Sequence, residues 1–185
     1  MTKLFFDTEF TGLHQKTTLI SIGIVSDCGK TFYAELTDYD KTQIDDWLQT
    51  NVIDNLFLSF IDNNASLDDW RIVGDSKTVK EALEHWLAQF ESVQIWSDCL
   101  AYDWVLFCQI FGHAFNIPKN IYYIPFDICP LLLERDGNAD ISREEYAEPF
   151  INVGGGAKHN ALWDAHVIMA CYKRLTAPSI EPIKP

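Results

Sequence analysis

Two acidic residues, Asp7 and Glu9, lie in an apolar stretch near the start of the sequence, residues 4–13. Such a stretch is typical of a short buried strand that ends in a turn. Because side chains alternate along a strand, both carboxylates share one face, with Cα atoms about 6.7 Å apart. That spacing suits a pair of cations, which would offset the cost of burying two carboxylates together. About one D-x-E triplet is expected by chance in this composition, and such a triplet could also lie at a strand end exposed to water. The pair therefore indicates a site only if other residues of the chain join it.

Three further residues can complete the set: Asp103, Asp164 and His159. Asp103 begins a predicted helix after a predicted strand, a position where an acid can also serve as a simple cap. Asp164 continues the apolar stripe of the last predicted helix, and a lone carboxylate there needs a partner. His159 directly precedes that helix, where an isolated loop histidine is more often a surface group.

Together these residue types indicate one kind of chemistry. Four carboxylates offer an all-oxygen shell, which suits Mg²⁺ or Mn²⁺. Two such cations about 3.5–4 Å apart can stabilise the attacking and leaving oxygens of a displacement at phosphorus. A histidine, with an ordinary pKa of about 6.5, can accept the proton of the attacking water. The glycine run at residues 154–156 would let the loop before His159 close over a substrate.

The elements that must position these residues alternate between strands and helices. Strands and hairpins are predicted at residues 4–10, 17–25, 31–36, 93–97 and 122–126, the last at a sheet edge because of Pro125. Helices are predicted at residues 41–51, 52–61, 77–90, 103–111, 128–135 and 160–175, with a capping box at 78–81 and Asn160 as an N-cap. Residues 136–158 are predicted as loop. The order predicts a mixed α/β sheet flanked by helices, with a ligand site at the strand ends.

Length and composition predict one domain over residues 1–175, followed by a proline-rich tail at 176–185. The sequence contains 185 residues, of which 48% are hydrophobic. It has no run of about 18 apolar residues and no basic-then-apolar leader, so we expect a cytoplasmic protein with no membrane partner. The five cysteines form no C-x-x-C pair, which argues against a disulfide framework or a thiolate zinc site and predicts buried free thiols.

The net charge of −13 constrains the partners. Proteins that track a long phosphate backbone normally present a basic surface. A nucleic-acid ligand of this chain would therefore be held through divalent cations and a few local bases, which favours a short single-stranded end over a long duplex. The acidic cluster Glu144, Glu145 and Glu148 is predicted to be a solvated surface.

Three motifs resemble those of the DEDD 3′–5′ exonucleases. The sequence FDTEFTGL at residues 6–13 resembles the first motif, DCLAYD at 98–103 the second, and HNALWD at 159–164 the third in its histidine (DEDDh) form. Asp98 stands where many members have Asn, which puts in doubt a contact to the terminal nucleotide. The phrases LISIG at 19–23 and AYDWV at 101–105 are most similar to stand-alone bacterial and phage exoribonucleases.

The resemblance implies an RNase H-like fold and a divalent-metal-dependent 3′–5′ exonuclease acting on single-stranded RNA or DNA ends. It implies that Asp7, Glu9, Asp103 and Asp164 ligate two Mg²⁺ or Mn²⁺ ions, and that His159 is the general base. The products would be 5′-mononucleotides. A homodimer is compatible with the family, although no residue marks an interface.

Contacts to the substrate follow from the same resemblance. Leu13 would act as an apolar wedge against the last base, with ordinary packing as the alternative, and the Thr11-Gly12 backbone would lie near the 3′ hydroxyl. Lys158 can meet a phosphate or remain solvated. Three aromatic residues adjoin the motifs and can either stack on bases or pack in the core: Phe10, Tyr102 and Trp163. Asp127 can accept a hydrogen bond near the site or cap the next helix.

Several functions fit these residues. The leading hypothesis is an exoribonuclease, and the nearest alternative is a proofreading-type DNA exonuclease. A catalytically silent nucleic-acid or protein-binding module on the same fold would be expected to lack a carboxylate or the histidine, and all five are present. A structural protein whose acids only provide solubility would not bind Mn²⁺.

Overall fold

The computed structural model describes residues 1–57, 69–151 and 157–178. In these ranges the chain forms a mixed sheet of six strands flanked by helices. The strands are β1 (Thr2–Phe10), β2 (Leu19–Ser26), β3 (Thr31–Leu36), β4 (Asp69–Gly74), β5 (Val93–Ser97) and β6 (Phe126–Asp127). The α-helices are α1 (Asp46–Asn51), α2 (Ser76–Leu87), α3 (Ala101–Ile110), α4 (Cys129–Asp136), α5 (Arg143–Ala147) and α6 (Ala161–Thr176).

The strand order is β4-β3-β2-β1-β5-β6. The first three strands form an antiparallel meander, and β5 and β6 then continue the sheet in parallel with β1. This places β1, which carries Asp7 and Glu9, in the interior of the sheet. Within the described ranges no helix is long and apolar enough to cross a membrane.

Alternation along β1 divides the core into two layers. Leu4 and Phe6 pack with α2 and α3 on one side of the sheet, whereas Phe5 packs with α4, α5 and α6 on the other. Asp7 and Glu9 continue the row of Phe5 and therefore face α6, while Thr8 continues the row of Phe6 and faces α3. The alternation of side chains along β1 thus determines which helix each of its polar side chains faces.

Several element predictions were wrong. Helix α2 is capped by Asp75, whose carboxylate accepts the N–H of Thr78, so the helix begins before the predicted capping box. The predicted strand at 122–126 is reduced to β6, since Ile121 makes only an isolated bridge with Val93 and Pro125 has no N–H to donate. Strand β4 was not predicted.

The segments predicted as loop or tail also differ in part. Residues 136–158 contain α5, which Ser142 caps by accepting the N–H of Glu145, followed by a short 3₁₀ helix at Glu148–Phe150. The helices predicted at 41–51 and 52–61 are a 3₁₀ turn at Lys41–Gln43, helix α1, and a second 3₁₀ turn at Ile53–Asn55. Residues 58–61, the glycine run and most of the tail lie outside the described residues.

Candidate active site

A cleft of about 520 Å³ opens at the end of β1. Its walls combine β1, the β5–α3 connection, residues 140–144, and the start of α6. All five residues predicted as catalytic line this cleft: Asp7, Glu9, Asp103, His159 and Asp164. Chain segments more than 150 residues apart therefore meet in one place, as the three motifs predict.

Three of the carboxylates converge. Asp7, Glu9 and Asp164 each offer an oxygen, and these oxygens lie within 4.8 Å of one another. Asp164 reaches them because the apolar stripe of α6 is buried against the sheet, at Ile168, Cys171 and Leu175. Asn160 starts α6 as predicted, by accepting the N–H of Trp163.

Gly23 on β2 sets the distance between α6 and the sheet. It pairs directly with Asp7 on β1, and a Cβ at this position would lie 2.3 Å from the backbone of Ala161 and Leu162. Only glycine lets the first turn of α6 approach the sheet this closely. The close approach brings Asp164 to the face that carries Asp7 and Glu9.

Asp103 reaches the cleft from the opposite side of the sheet. One oxygen of its carboxylate accepts the N–H of Thr8 at 3.0 Å and the Thr8 hydroxyl at 2.5 Å. Since Thr8 points toward α3, Asp103 is held on that side of β1 and lies beside the group of three rather than within it. Its charge nevertheless acts on Asp7 and Glu9.

The four carboxylates share a buried, mutually repelling environment. Burial raises the pKa of Asp7 well above its ordinary value, and the charges of Asp103, Asp164 and Glu9 raise it further. Burial together with Asp164 and Asp103 raises the pKa of Glu9 to about 8. Burial also raises the pKa of Asp164 to about 7, and that of Asp103 to about 6 despite the donors from Thr8.

This cluster fits a divalent cation. The lysine and the arginine that line the cleft, Lys158 and Arg143, pair instead with Glu144 at 3.7 Å and with Asp98 at 2.7 Å. Buried carboxylates in such proximity need compensating positive charge. An all-oxygen group of hard ligands is what Mg²⁺ or Mn²⁺ prefers.

His159 has a constrained backbone and a packed ring. Its φ is +64°, a conformation that few residues other than glycine adopt, and its N–H donates to Asp164 Oδ2 at 2.9 Å. The imidazole packs edge-to-face on the indole of Trp47, with centroids 5.1 Å apart. Burial, reinforced by Lys158 and opposed by Glu144, lowers the pKa of His159 below 6.5. Neutral imidazole, the form that accepts a proton, is therefore favoured at neutral pH.

Some of the residues predicted to contact the substrate line the cleft and others do not. Leu13 is 76% exposed and lines the cleft, as do Phe10, Tyr102 and Lys158, so ordinary packing is the wrong interpretation for Leu13. Phe10 and Tyr102 stack on each other, with centroids 5.7 Å apart.

The other predicted residues make contacts within the protein, and their contact with a substrate stays a prediction. The hydroxyl of Thr11 is buried in the β1–β2 turn and donates to Gln43, and the N–H of Gly12 donates to Thr17. Trp163, on α6, packs against the core layer that α4, α5 and α6 form with Phe5. Asp127 precedes the N-cap of α4, Ile128, and its carboxylate accepts the N–H of Cys129 at 2.7 Å and that of Leu100 at 3.1 Å.

Sequence reasoning missed two partners of the site. Arg143 binds Asp98, the residue that replaces the usual Asn, through Nε at 2.7 Å and Nη2 at 2.9 Å. Trp47 contacts His159 from α1. The prediction for Glu144 was also wrong, since it is half-buried, lines the cleft and pairs with Lys158, although Glu145 and Glu148 are exposed. In the sequence, only its position as a lone basic residue within the acidic segment 136–148 could have pointed to Arg143.

The cysteine predictions need correction as well. Cys28 and Cys99 are exposed rather than buried. Cys99 and Cys129 also lie together, with Sγ atoms 3.4 Å apart, beside Asp98. Their separation of 30 residues conceals this pair from a search for closely spaced cysteines.

Comparison with known proteins gives a consistent result. The family model for the "3′-5′ exoribonuclease Rv2179c-like domain" matches residues 2–175. Two curated relatives from Mycobacterium tuberculosis strains, 3′-5′ exoribonuclease Rv2179c and 3′-5′ exoribonuclease MT2234.1, are each 29% identical over 121 residues. Those alignments cover 64% of this chain and 67% of each relative.

Two solved structures have the same fold. S. pombe Pop2p, in a Mg²⁺- and Mn²⁺-bound form, matches with a TM-score of 0.56 and 15% identity, covering 92% of this chain and 81% of that chain. The Neurospora crassa Pan2 catalytic unit, which contains protease and nuclease domains, matches with a TM-score of 0.54 and 17% identity, covering 94% of this chain and 26% of that chain. The RNase H-like fold predicted from the motifs is confirmed.

Proposed function

Because the chain belongs to the Rv2179c-like 3′–5′ exoribonuclease family, we propose that its cleft removes 5′-mononucleotides from the 3′ end of single-stranded RNA with the help of two Mg²⁺ or Mn²⁺ ions. The observation that carries this proposal is the convergence of Asp7, Glu9 and Asp164 within 4.8 Å, with Asp103 beside them. These four carboxylates would hold the ions. When bound, the ions would supply charge stabilisation for the attacking and leaving oxygens at phosphorus.

His159 is the proposed general base. Its lowered pKa keeps the imidazole neutral at physiological pH, so that it can take a proton from the attacking water. The Asp164 carboxylate accepts the His159 N–H, and the Trp47 indole packs on the ring. Both contacts restrict where the imidazole can point. The base and the carboxylate cluster are thereby coupled through a single residue, Asp164.

The walls of the cleft support a short, single-stranded substrate. The stacked pair Phe10 and Tyr102, together with the exposed Leu13, presents apolar surface on which a terminal base can stack. Lys158 lines the cleft and is the proposed contact for a phosphate. This contact would replace its weak, exposed ion pair with Glu144. With a net charge of −13, the protein has little to attract a long duplex.

The test uses RNA and DNA oligonucleotides of matched sequence, labelled at either end and incubated with Mg²⁺, Mn²⁺ or a chelator. We expect shortening from the 3′ end, mononucleotide products, dependence on the metal and preference for RNA. Asp7→Asn and Asp164→Asn should abolish hydrolysis, whereas Glu81→Gln, which removes one charge from an exposed position on α2, should not.

Three results would reject parts of the proposal. Turnover retained in Asp7→Asn or Asp164→Asn would reject the metal ligands. Faster hydrolysis of the DNA than of the RNA would indicate the proofreading-type alternative. Binding of RNA without hydrolysis in either metal would indicate a silent binding module.

A further inference from the structure

Two cysteines, one of which lines the cleft, lie close to one another. Cys99 follows β5 in an exposed connection and has a φ of +51°, while Cys129 is the first residue of α4. Their sulfur atoms are 3.4 Å apart. A disulfide requires about 2.05 Å, so the two thiols are in contact but unbonded.

The backbone around both cysteines is fixed by a single residue. The Asp127 carboxylate accepts the N–H of Cys129 at 2.7 Å through one oxygen and the N–H of Leu100 at 3.1 Å through the other. The segments that carry Cys99 and Cys129 are therefore held together independently of their thiols. Side-chain rotation and a small backbone adjustment remain as the movements needed to join the sulfurs.

The charges beside the pair favour a covalent bond over a bound metal. Asp98, Cys99 and Cys129 offer ligand atoms within 4.8 Å of one another, but Arg143 binds both oxygens of Asp98 and also lies 3.4 Å from Cys129 Sγ. A divalent cation at this point would face the guanidinium at close range. Joining the two neutral thiols adds no charge and leaves the pair of Asp98 and Arg143 in place.

We propose that Cys99 and Cys129 are a modification site, which small-molecule disulfides such as oxidised glutathione convert into an intramolecular disulfide. The exposed Cys99 thiolate attacks one sulfur of the reagent, and the reagent's S–S bond breaks to release one glutathione thiolate. The Cys129 thiolate then attacks the Cys99 sulfur and releases the second glutathione thiolate. The protons of the two cysteine thiols end on the two released thiolates, so the protein is oxidised by two electrons and the reagent is reduced by two.

The bond would alter the wall of the active site. Cys129 would lose the thiol proton that it donates to Asp98 at 3.0 Å, and Cys99 would shift toward α4. Both Asp98 and Cys99 line the cleft, and Cys99 lies four residues before Asp103. Displacements of about 1 Å in such positions can cost about 100-fold in rate. The expectation that RNA hydrolysis slows on oxidation rests on the proposed function.

The experiment treats the reduced full chain with oxidised glutathione at pH 8 in a chelator, because burial raises the pKa of both thiols and exchange needs thiolate. Free thiols are then alkylated, and linked peptides are mapped by mass spectrometry. RNA hydrolysis is measured after the metal is restored, and again after reduction. Cys129→Ser removes the second thiol, and Cys28→Ser removes an exposed thiol away from the cleft.

We expect a Cys99–Cys129 linked peptide in the unsubstituted chain and in Cys28→Ser, with hydrolysis slowed more than about tenfold and restored by reduction. In Cys129→Ser, Cys99 should retain glutathione. Glutathione on Cys99 without the linked peptide in the unsubstituted chain would overturn the proposal, and so would a linked form that hydrolyses RNA at the reduced rate. Absence of hydrolysis by the reduced chain would instead refute the proposed function. The peptide map would still show whether the disulfide forms.

Discussion

The burial of the Asp164 carboxylate predicts that Asp164→Asn abolishes activity and stabilises the metal-free protein. The pKa of Asp164 rises from 3.8 to about 7 on folding. At about 1.4 kcal/mol per pKa unit, ionised Asp164 costs the fold about 4 kcal/mol. For a chain of this size that free energy corresponds to roughly 10 °C in Tm. The asparagine keeps an oxygen that can accept the N–H of His159.

The effect should depend on pH in one direction. A carboxyl whose pKa is raised by folding binds protons more tightly in the folded state, so its penalty is absent below pH 4 and grows until about pH 7. Metal-free Asp164→Asn should therefore melt well above the unsubstituted protein at pH 8 and close to it at pH 4.5.

Thermal unfolding in a chelator, followed by circular dichroism at several pH values, measures this difference. Glu81→Gln is the matched control, because it removes one negative charge from an exposed helix position and should change stability by less than about 0.5 kcal/mol at every pH. A Tm for Asp164→Asn at or below that of the unsubstituted protein at pH 8 would refute the argument from the burial of ionised Asp164.

Other predictions concern the same site. Gly23→Ala should cost about 1–3 kcal/mol and most of the RNA hydrolysis, because its Cβ would meet the backbone of α6 at 2.3 Å; a fully active variant would contradict this role. Lys158→Gln should raise the pKa of His159, since Lys158 lowers it, and should move the acid limb of the kcat/KM profile to higher pH; an unmoved limb would count against His159 as the base. Mn²⁺ should raise the Tm more at pH 8 than at pH 6, because protons compete for the carboxylates; equal shifts would indicate binding elsewhere.

The sequence was sufficient to predict the parts of the site that follow from the repeat of one strand or one helix. Asp7 and Glu9 share a face because strands alternate, and Asp164 points to the sheet because its stripe repeats every three or four residues. Both statements needed only local spacing. The resemblance to the three motifs then identified which of the many acids in the chain belong together.

What could not be predicted depends on residues that are distant in the sequence. Arg143 and Asp98 are 45 residues apart, and Cys99 and Cys129 are 30 apart, so no periodic pattern connects them. Gly23 occupies an ordinary strand position, and its importance appears only where α6 crosses β2. The cytoplasmic location, the single-domain boundary at residue 175 and the possible dimer stay predictions.

The central claim is that the β1 carboxylates and Asp164 bind divalent cations, and diffraction from Mn²⁺-soaked crystals at the manganese absorption edge tests it most directly. We predict one anomalous peak within coordination distance of Asp7, Glu9 and Asp164, and a second peak near Asp103. The first peak should be lost in Asp164→Asn. A cleft without anomalous density at saturating Mn²⁺, in crystals of protein that still hydrolyses RNA, would contradict the account.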